Sequence, residues 1–261
     1  MDDAQPGPAG FRGTDRPPVR WFHAASDLRD FMITTFRVSP ERLARHLPAG
    51  YVPEVVELAG GPAALVSAVA FRDESFHFRG LPRVAITCGQ VNYRAYVRRD
   101  GVRGAWFLGT AFDHPTVVLP RRLWGMPWRR ERIALTATWD DGRASWALRT
   151  DEATCRASEA VAVPAGLDGF AAERDWQALL THPTVGWYRR GRAGRVGTYS
   201  IWHPPMAARH FVAAEARFPF LERLGLVQPG QEPHSLLGQE LLPFDIHTPP
   251  RRVRGPVTAT P

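Results

Sequence analysis

Residues 88–98 read CGQVNYRAYVR and alternate between apolar and polar side chains. A period of two predicts a β-strand whose two faces meet different surroundings. The apolar face carries Val91, Tyr93, Ala95 and Val97. The polar face carries Gln90, Asn92, Arg94 and Tyr96. A polar face in a curled sheet either meets water or lines a cavity, and the weak strand preference of Asn and Gln favours the cavity.

The period of two continues on both sides of this stretch, from residue 51 to residue 148. Further strands are predicted over residues 29–36, 63–71, 105–112, 132–139, 144–149, 154–163, 195–202 and 236–246. Residues 140–143, Asp-Asp-Gly-Arg, predict a tight hairpin turn. Helices are predicted over residues 39–47, 168–180 and 213–224. The fold class is therefore α+β, mostly antiparallel β, with a closed or strongly curled sheet.

The chain has 261 residues, of which 44% are hydrophobic, which suits one large domain. Residues 1–19 are rich in Pro, Gly and Asp, and a disordered segment is predicted there. Residues 20–247 form the predicted domain, and residues 248–261 a tail rich in Pro and Arg. The acidic, polar start does not resemble a secretory signal, and no apolar run reaches the roughly 18 residues that span a bilayer. A cytoplasmic protein without membrane contact is expected.

The formal net charge is +7, yet the sequence contains no lysine, so all 33 basic residues are arginine. These arginines are spread along the chain, whereas nucleic-acid binding needs a focused basic surface, which makes that partner unlikely. Arginine stays protonated and cannot form an imine with a carbonyl compound. Cys88 and Cys155 are far apart in sequence, and two buried free thiols are expected.

Residues 119–128, LPRRLWGMPW, hold two arginines between prolines and tryptophans. Arg121 and Arg122 either bind carboxylates and oxyanions or lie on the surface over Trp124 and Trp128. His114, shortly before, is either an acid–base group or a structural residue. The sequence shows no nucleotide-binding, metalloprotease or serine-hydrolase motif, and its histidines lack ligand spacing, so neither a metal nor a cofactor is expected.

From residue 29 to residue 254 the chain resembles the DUF2071 (YqjF-like) family of uncharacterised bacterial proteins. The matching segments are VSPERL (38–43), LPAGY (47–51), GLP (80–82), VNYRAYV (91–97), GAWFL (104–108), LWGMP (123–127) and HPP (203–205). This family looks like a branch of the acetoacetate decarboxylase superfamily. The resemblance implies a cone-shaped, mostly antiparallel barrel with a buried pocket and a few peripheral helices.

In the decarboxylases a Pro-Lys-Lys-Leu-Gly-Tyr-Pro segment supplies the lysine that forms the imine. By resemblance, Arg121 stands where that lysine would be, and Arg122 stands beside it. Arg29 matches an arginine before the first strand. Ser67 and Gln90 fall where the decarboxylases have pocket glutamates. These departures argue against an imine-type decarboxylation, because the chain has no lysine and only its N-terminal amine is left as a remote alternative.

The expected function is therefore that of an enzyme that stabilises an enolate or oxyanion of a small carbonyl or carboxylate metabolite without covalent catalysis. A dehydration, a cyclisation, a tautomerisation or a non-imine decarboxylation would fit. The predicted catalytic residues are Arg121, Arg29, Gln90 and His114. The predicted substrate-binding residues are Arg122, Arg94, Asn92, Trp124 and Ser67. The alternative is a non-catalytic small-molecule binder on the same fold, and association into a homo-oligomer stays open.

Overall fold

Strands make up most of the computed structural model, which describes residues 16–141, 143–162, 166–191 and 195–253. Fourteen strands in this part of the chain belong to one sheet: β1 (Ala24–Val38), β2 (Val52–Pro53), β3 (Val55–Leu58), β4 (Gly61–Phe78), β5 (Ile86–Arg99), β6 (Val102–Phe112), β7 (Trp128–Arg130), β8 (Ala134–Thr138), β9 (Ser145–Arg149), β10 (Thr154–Glu159), β11 (Val185–Arg190), β12 (Arg195–Trp202), β13 (Arg209–Arg217) and β14 (Ser235–Arg252). The short helices are α1 (Pro40–Ala44), α2 (Val118–Trp124), α3 (Glu173–Trp176) and α4 (Pro219–Arg223). A 3-10 turn (Pro115–Val117) leads into α2, and a π-helical turn (Gln177–Thr181) follows α3.

Seven strands form a closed circuit of pairings. Their order is β1–β4–β5–β6–β11–β12–β14, and β14 returns to pair with β1. Every pair in the circuit is antiparallel except β6 with β11, which run parallel. Strands β13, β10, β9 and β8 extend the sheet from β14. Their end is held against β1, where Trp146 Nε1 donates to the carbonyl oxygen of Asp30 at 2.7 Å.

The pairing of β5 with β6 contains a bulge. Leu108 lies between the β6 partner of Tyr93 and the partner of Arg94, so it has no partner of its own on β5. Because side chains alternate along a strand, one extra residue reverses the alternation beyond it. As a result Phe107 and Phe112, an odd and an even position, line the same space.

Strand β5 separates two hydrophobic clusters. Its Val91, Tyr93, Ala95 and Val97 belong to a larger cluster with Phe36, Trp106, Trp146 and Phe218. Tyr96, on the opposite face, belongs to a second cluster with Phe31, Leu65, Phe71 and Leu180. The apolar face predicted for residues 88–98 thus packs against the larger cluster, and the predicted polar face is on the side of the second cluster.

The helix predicted over residues 213–224 is wrong in its first half. Strand β13 continues to Arg217 and pairs with β10 from Thr154 to Glu159. A helix exists only at α4, where Pro219 occupies the first turn. The apolar residues of the segment fit both periods, and the pairing partner decided between them.

Several other elements differ from the sequence-based expectation. Helix α2 and strand β11 were not predicted, and the helix expected over residues 168–180 is reduced to α3 and the π-helical turn. The strand expected over residues 154–163 ends at Glu159, and its last residue lies outside the described residues. The hairpin between β8 and β9 is present, although Gly142 of its turn also lies outside them.

The ends of the described chain take part in the fold. Of the predicted disordered segment, residues 1–15 lie outside the described residues, and Arg16 Nε contacts Asp245 Oδ2 at 2.6 Å. The boundary predicted at residue 247 is corrected, because β14 runs on to Arg252 and pairs there with Gly197 of β12. Residues 254–261 of the predicted tail are outside the described range. In the described part of the chain, no helix has the length and apolar character needed to cross a membrane.

Candidate ligand-binding cavity

A cavity of about 460 Å³ lies between the strands of the seven-strand circuit. All seven strands contribute to its wall, together with residues between Thr116 and Trp128. Most of the lining is apolar and includes Leu28, Phe31, Val69, Phe71, Phe107 and Ile246. Cavities of this size, mostly apolar with a few convergent polar groups, are typical small-molecule sites.

Strand β5 supplies the polar stripe of the wall, which consists of Cys88, Gln90, Asn92 and Arg94. Alternate residues of a strand face the same side, so the stripe follows directly from the period of two. Gln90 Nε2 donates to Asn92 Oδ1 at 2.8 Å, and Thr110 Oγ1 donates to the same oxygen at 2.9 Å. These two bonds turn the Asn92 amide so that its NH₂ group is available as a donor.

Arg94 is the one member of the stripe with a permanent charge, and it is only 7% exposed. Its Nη2 donates to the carbonyl oxygen of Leu180 at 2.7 Å, and its Nε is buried without a hydrogen-bond partner. No carboxylate among the described residues forms an ion pair with it. Arg94 therefore places a buried positive charge without a carboxylate partner on the cavity wall.

The cavity ends beyond Arg94. The next residue on the same face of β5, Tyr96, is fully buried, and its hydroxyl lies 2.7 Å from Ser67 Oγ and 3.2 Å from the carbonyl oxygen of Leu180. Ser67 also lies 2.9 Å from Thr35 Oγ1. Ser67 is therefore part of the packing behind Arg94 and does not line the cavity.

Asp73 on β4 is a second ionisable group on the wall, and it is 4% exposed. Burial raises the pKa of its carboxyl group to about 7, the nearby Asp113 adds to the rise, and a hydrogen bond from Ser26 opposes it. Ser26 Oγ donates to Asp73 Oδ1 at 2.8 Å. Asp73 pairs in register with Cys88, whose thiol pKa is also raised by burial. At neutral pH this carboxyl group can hold or release a proton.

His203 and Tyr199 line the wall near Arg94. Burial lowers the pKa of His203, and Arg94 lowers it further. Its Nε2 lies 3.0 Å from the carbonyl oxygen of Thr181, and its Nδ1 lies 2.8 Å from that of Pro204. Burial raises the pKa of Tyr199, while Arg94 opposes the rise. The contacts of His203 with the two carbonyl oxygens oppose the lowering of its pKa.

Helix α2 covers the other end of the cavity. Leu119, Pro120, Leu123 and Trp124 contribute to the lining, although Leu119 is 55% exposed and Leu123 62% exposed. The helix ends at Gly125, which has φ 62°. Leu119 and Leu123 lie one turn apart, so a strip of leucine borders both the cavity and the solvent.

Four further predicted site residues, besides Ser67, lie outside the lining of the cavity. Arg121 and Arg122 are exposed and absent from the lining, because Leu119 and Leu123 occupy the side of α2 that borders the cavity. Arg29 is held outside by Glu74, whose Oε2 lies 2.6 Å from Arg29 Nε. His114 caps the 3-10 turn, where its Nδ1 accepts from the backbone N–H of Thr116 at 3.3 Å.

Sequence reasoning brought together Gln90, Asn92, Arg94 and Trp124, and it missed Asp73, Tyr199 and His203. Extending the predicted strand 63–71 by two residues would have placed Asp73 on the face of Val69 and Phe71. His203 stood in a quoted motif but had no neighbour in sequence that could suggest a site. In the described part of the chain, no group of three or more His, Cys, Asp or Glu side chains is arranged to hold a metal ion.

The fold is that of acetoacetate decarboxylase-like proteins. An acetoacetate decarboxylase-like enzyme from Sphingomonas wittichii RW1 aligns with a TM-score of 0.58 over 90% of this chain and 94% of its own, at 14% sequence identity. The enduracididine biosynthesis enzyme MppR, complexed with pyruvate, aligns with a TM-score of 0.58 over 92% and 91%, also at 14% identity. Acetoacetate decarboxylase from Legionella pneumophila subsp. pneumophila str. Philadelphia 1 gives a TM-score of 0.56 over 93% and 94%, at 14% identity.

Residues 25–241 match the model of DUF2071, a family described as an uncharacterized conserved protein. This match spans most of the chain, and the protein therefore belongs to the DUF2071 family. No curated protein matches the sequence.

Proposed function

We propose that this protein is an enzyme that binds a carboxylate-containing carbonyl metabolite on Arg94 and stabilises an enolate-like charge without a covalent intermediate. The observation that carries the proposal is the Arg94 guanidinium, which is buried on the cavity wall with an unbonded Nε and no ion-pair partner in the described residues. A buried charge without a counter-charge is costly, and an anionic ligand would offset that cost.

The neighbouring amide supports a role beyond binding. With the carboxylate on Arg94, a carbonyl group next to it would lie beside the NH₂ group of Asn92. Hydrogen bonds from Gln90 and Thr110 fix that amide before the ligand arrives. A preorganised donor at a developing oxyanion favours the transition state over the ground state. This geometry suits lyase, isomerase or cyclase chemistry.

The proposed reaction proceeds without an imine intermediate, because the chain has no lysine to form one. The ligand class finds support in the fold. MppR has been described with pyruvate and with the condensation product of pyruvate and imidazole 4-carboxaldehyde. For the present chain we infer a related 2-oxo acid, held by Arg94. The closed circuit of seven strands supports the further proposal of a cone-shaped barrel with the ligand inside it.

Binding is tested by titrating pyruvate into the wild type and into Arg94→Met in a calorimeter. Methionine keeps much of the side-chain volume and removes the charge, so the fold should persist and the affinity should fall at least tenfold. Arg121→Met is the matched control, because Arg121 is exposed and off the cavity. Equal affinities of the wild type and Arg94→Met for pyruvate would refute the proposal that Arg94 binds the carboxylate.

Catalysis is tested by following the exchange of the methyl protons of pyruvate with solvent deuterium by NMR. The methyl proton passes to a solvent or buffer base, and enolate stabilisation predicts that this exchange is faster with the wild type than with Arg94→Met or with buffer alone. Asn92→Ala should retain binding and lose most of the acceleration, since Asn92 is proposed to contact the oxyanion. If pyruvate binds but the exchange is not accelerated, the protein is a non-catalytic small-molecule binder and the proposed catalysis is wrong.

A further inference from the structure

The size and polarity of the cavity define the ligand class more narrowly. We propose that the cavity takes a carboxylate with a long apolar tail, alkyl or arylalkyl, with the head group on Arg94 and the tail running towards α2. This inference rests on the proposed function for its head group and adds the nature of the rest of the ligand.

The first support is the volume. A cavity of about 460 Å³ falls in the range of roughly 300–1,000 Å³ that holds drug-sized ligands. Pyruvate would leave most of this space to water. The lining away from the polar stripe offers water few partners, because it is built by side chains such as Phe31, Val69, Phe71 and Phe107. Apolar space of this kind favours hydrocarbon over water.

The second support is the position of the charge. Arg94 is the last lining residue of β5 at the closed end, whereas Cys88 lies six residues back along the strand. At about 3.3 Å per residue these two positions are roughly 20 Å apart. Between them, Gln90 and Asn92 are bonded to each other. Asp73, at the far end, already accepts a bond from Ser26. One permanent charge at the end of a long apolar space matches a ligand with one charged end.

The third support is the strip of leucine at the other end. Leu119 and Leu123 are largely exposed, and both still contribute to the cavity lining. A short acid bound on Arg94 would not reach them. A tail that extends along the cavity would cover them, which gives these exposed apolar side chains a partner.

The test is a calorimetric titration with the straight-chain carboxylates butanoate, hexanoate, octanoate and decanoate, below their micelle concentrations. Burial of each methylene group should strengthen binding about fourfold, until the cavity is filled. Octanol serves as the uncharged control and should bind at least tenfold more weakly than octanoate, because it cannot pair with Arg94.

A variant at the mouth tests the path of the tail. Leu123→Glu should weaken decanoate binding at least tenfold and leave butanoate binding unchanged. Val118→Glu is the matched control, because Val118 is an exposed apolar residue of the same helix that does not line the cavity. Both positions are exposed, so neither substitution threatens the core.

The outcomes separate this inference from the proposed function. An affinity that does not change with chain length, while pyruvate still needs Arg94, overturns the tail and leaves the proposed function standing. An increase with chain length that octanol shares overturns the role of Arg94 as the anchor, and with it the carboxylate half of the inference. Equal effects of Leu123→Glu and Val118→Glu would refute the path under α2.

Discussion

Arg94 and Asp73 face the same cavity, and their different surroundings give them different roles. Arginine side chains carry a permanent charge, and Arg94 has no carboxylate partner in the described part of the chain. Asp73 is buried beside a hydroxyl donor and has no cation paired with it among the described residues, so its proton is retained up to about pH 7. The first suits a permanent anion anchor, and the second suits a group that changes its protonation state.

A pH-dependent stability follows from Asp73. Its pKa is raised from 3.8 to about 7 in the native state, so the associated stabilisation is complete below about pH 4 and is lost as the pH rises through about 7. Above that pH, the buried carboxylate costs on the order of 4 kcal/mol. Asp73→Asn should therefore become more stable relative to the wild type as the pH increases from about 4 to 8.

Urea unfolding at several pH values in this range measures the effect. Asp27→Asn is the control, because Asp27 is exposed on the neighbouring strand β1. Because the Asp27 side chain is exposed, this substitution should change the free energy of unfolding only slightly. If the two variants follow parallel pH profiles, Asp73 does not hold its proton in the native state.

At this scale, prediction from the sequence succeeded where the evidence was local. The placement of Gln90, Asn92 and Arg94 on one wall follows from alternation within a single strand. The positions of Arg121 and Arg122 could not be obtained in this way. The direction of their side chains depends on which side of α2 meets the sheet. The resemblance to the decarboxylases aligned Arg121 and Arg122 with the lysine segment in sequence, but it did not predict where their side chains lie.

Among the elements, α2 contributes Leu119, Leu123 and Trp124 to the cavity lining, and Gly125 ends it. Gly125 adopts φ 62°, and its backbone N–H bonds the carbonyl oxygen of Arg121 at 3.0 Å. A Cβ atom at this position would lie 3.0 Å from Arg190 Cγ and 3.1 Å from the backbone nitrogen of Gly191. Conformation and space therefore both require glycine here.

Gly125→Ala should lower the free energy of unfolding by about 1–2 kcal/mol from the left-handed backbone alone, with an added cost from the contacts to Arg190 and Gly191. Gly225→Ala separates the two contributions, because Gly225 has φ 67° after α4 and open space around its Cβ position. Urea unfolding of both variants gives the difference. A smaller loss for Gly125→Ala than for Gly225→Ala would contradict the close approach.

The elements that sequence reasoning misjudged depend on contacts distant in the chain. Residues 213–217 join β13 because β10 is available beside them. Strand β11 pairs in parallel with β6 over Gly186 to Tyr188, a contact between segments about eighty residues apart. The strand signals of residues 63–71, 88–98 and 105–112 were reliable because those strands pair with their neighbours in sequence.

On the scale of the whole molecule, the circuit of seven strands is closed by the two ends of the described chain. Strand β14 pairs with β1 over Ala24 to Thr35 and with β12 as far as Arg252. Its last residues include Thr248 and Pro250, which line the cavity. Proline is unfavourable within strands, which explains why the sequence suggested a tail instead.

Truncation after residue 247 tests this closure. The shortened chain loses the pairing of β14 with residues 197 and 198 of β12, and part of the cavity wall. Its melting temperature should fall by several degrees, and pyruvate binding should weaken. Truncation after Val253 is the control, since it keeps every described pairing. Indistinguishable melting curves for the two truncations would show that residues 248–253 do not contribute to the stability of the protein.

Because of the bulge at Leu108, strand β6 contributes to the two ends of the cavity with opposite alternation of its side chains. In the deep part of the wall, β6 contributes the odd-numbered residues Ala105 and Phe107. In the part near α2 it contributes the even-numbered residue Phe112. Loss of one residue at the bulge would exchange the inward and outward sets on one side only. Because Trp106 belongs to the larger hydrophobic cluster, such a loss would disturb the core together with the deep part of the cavity wall, whereas Phe112 would keep its place near α2.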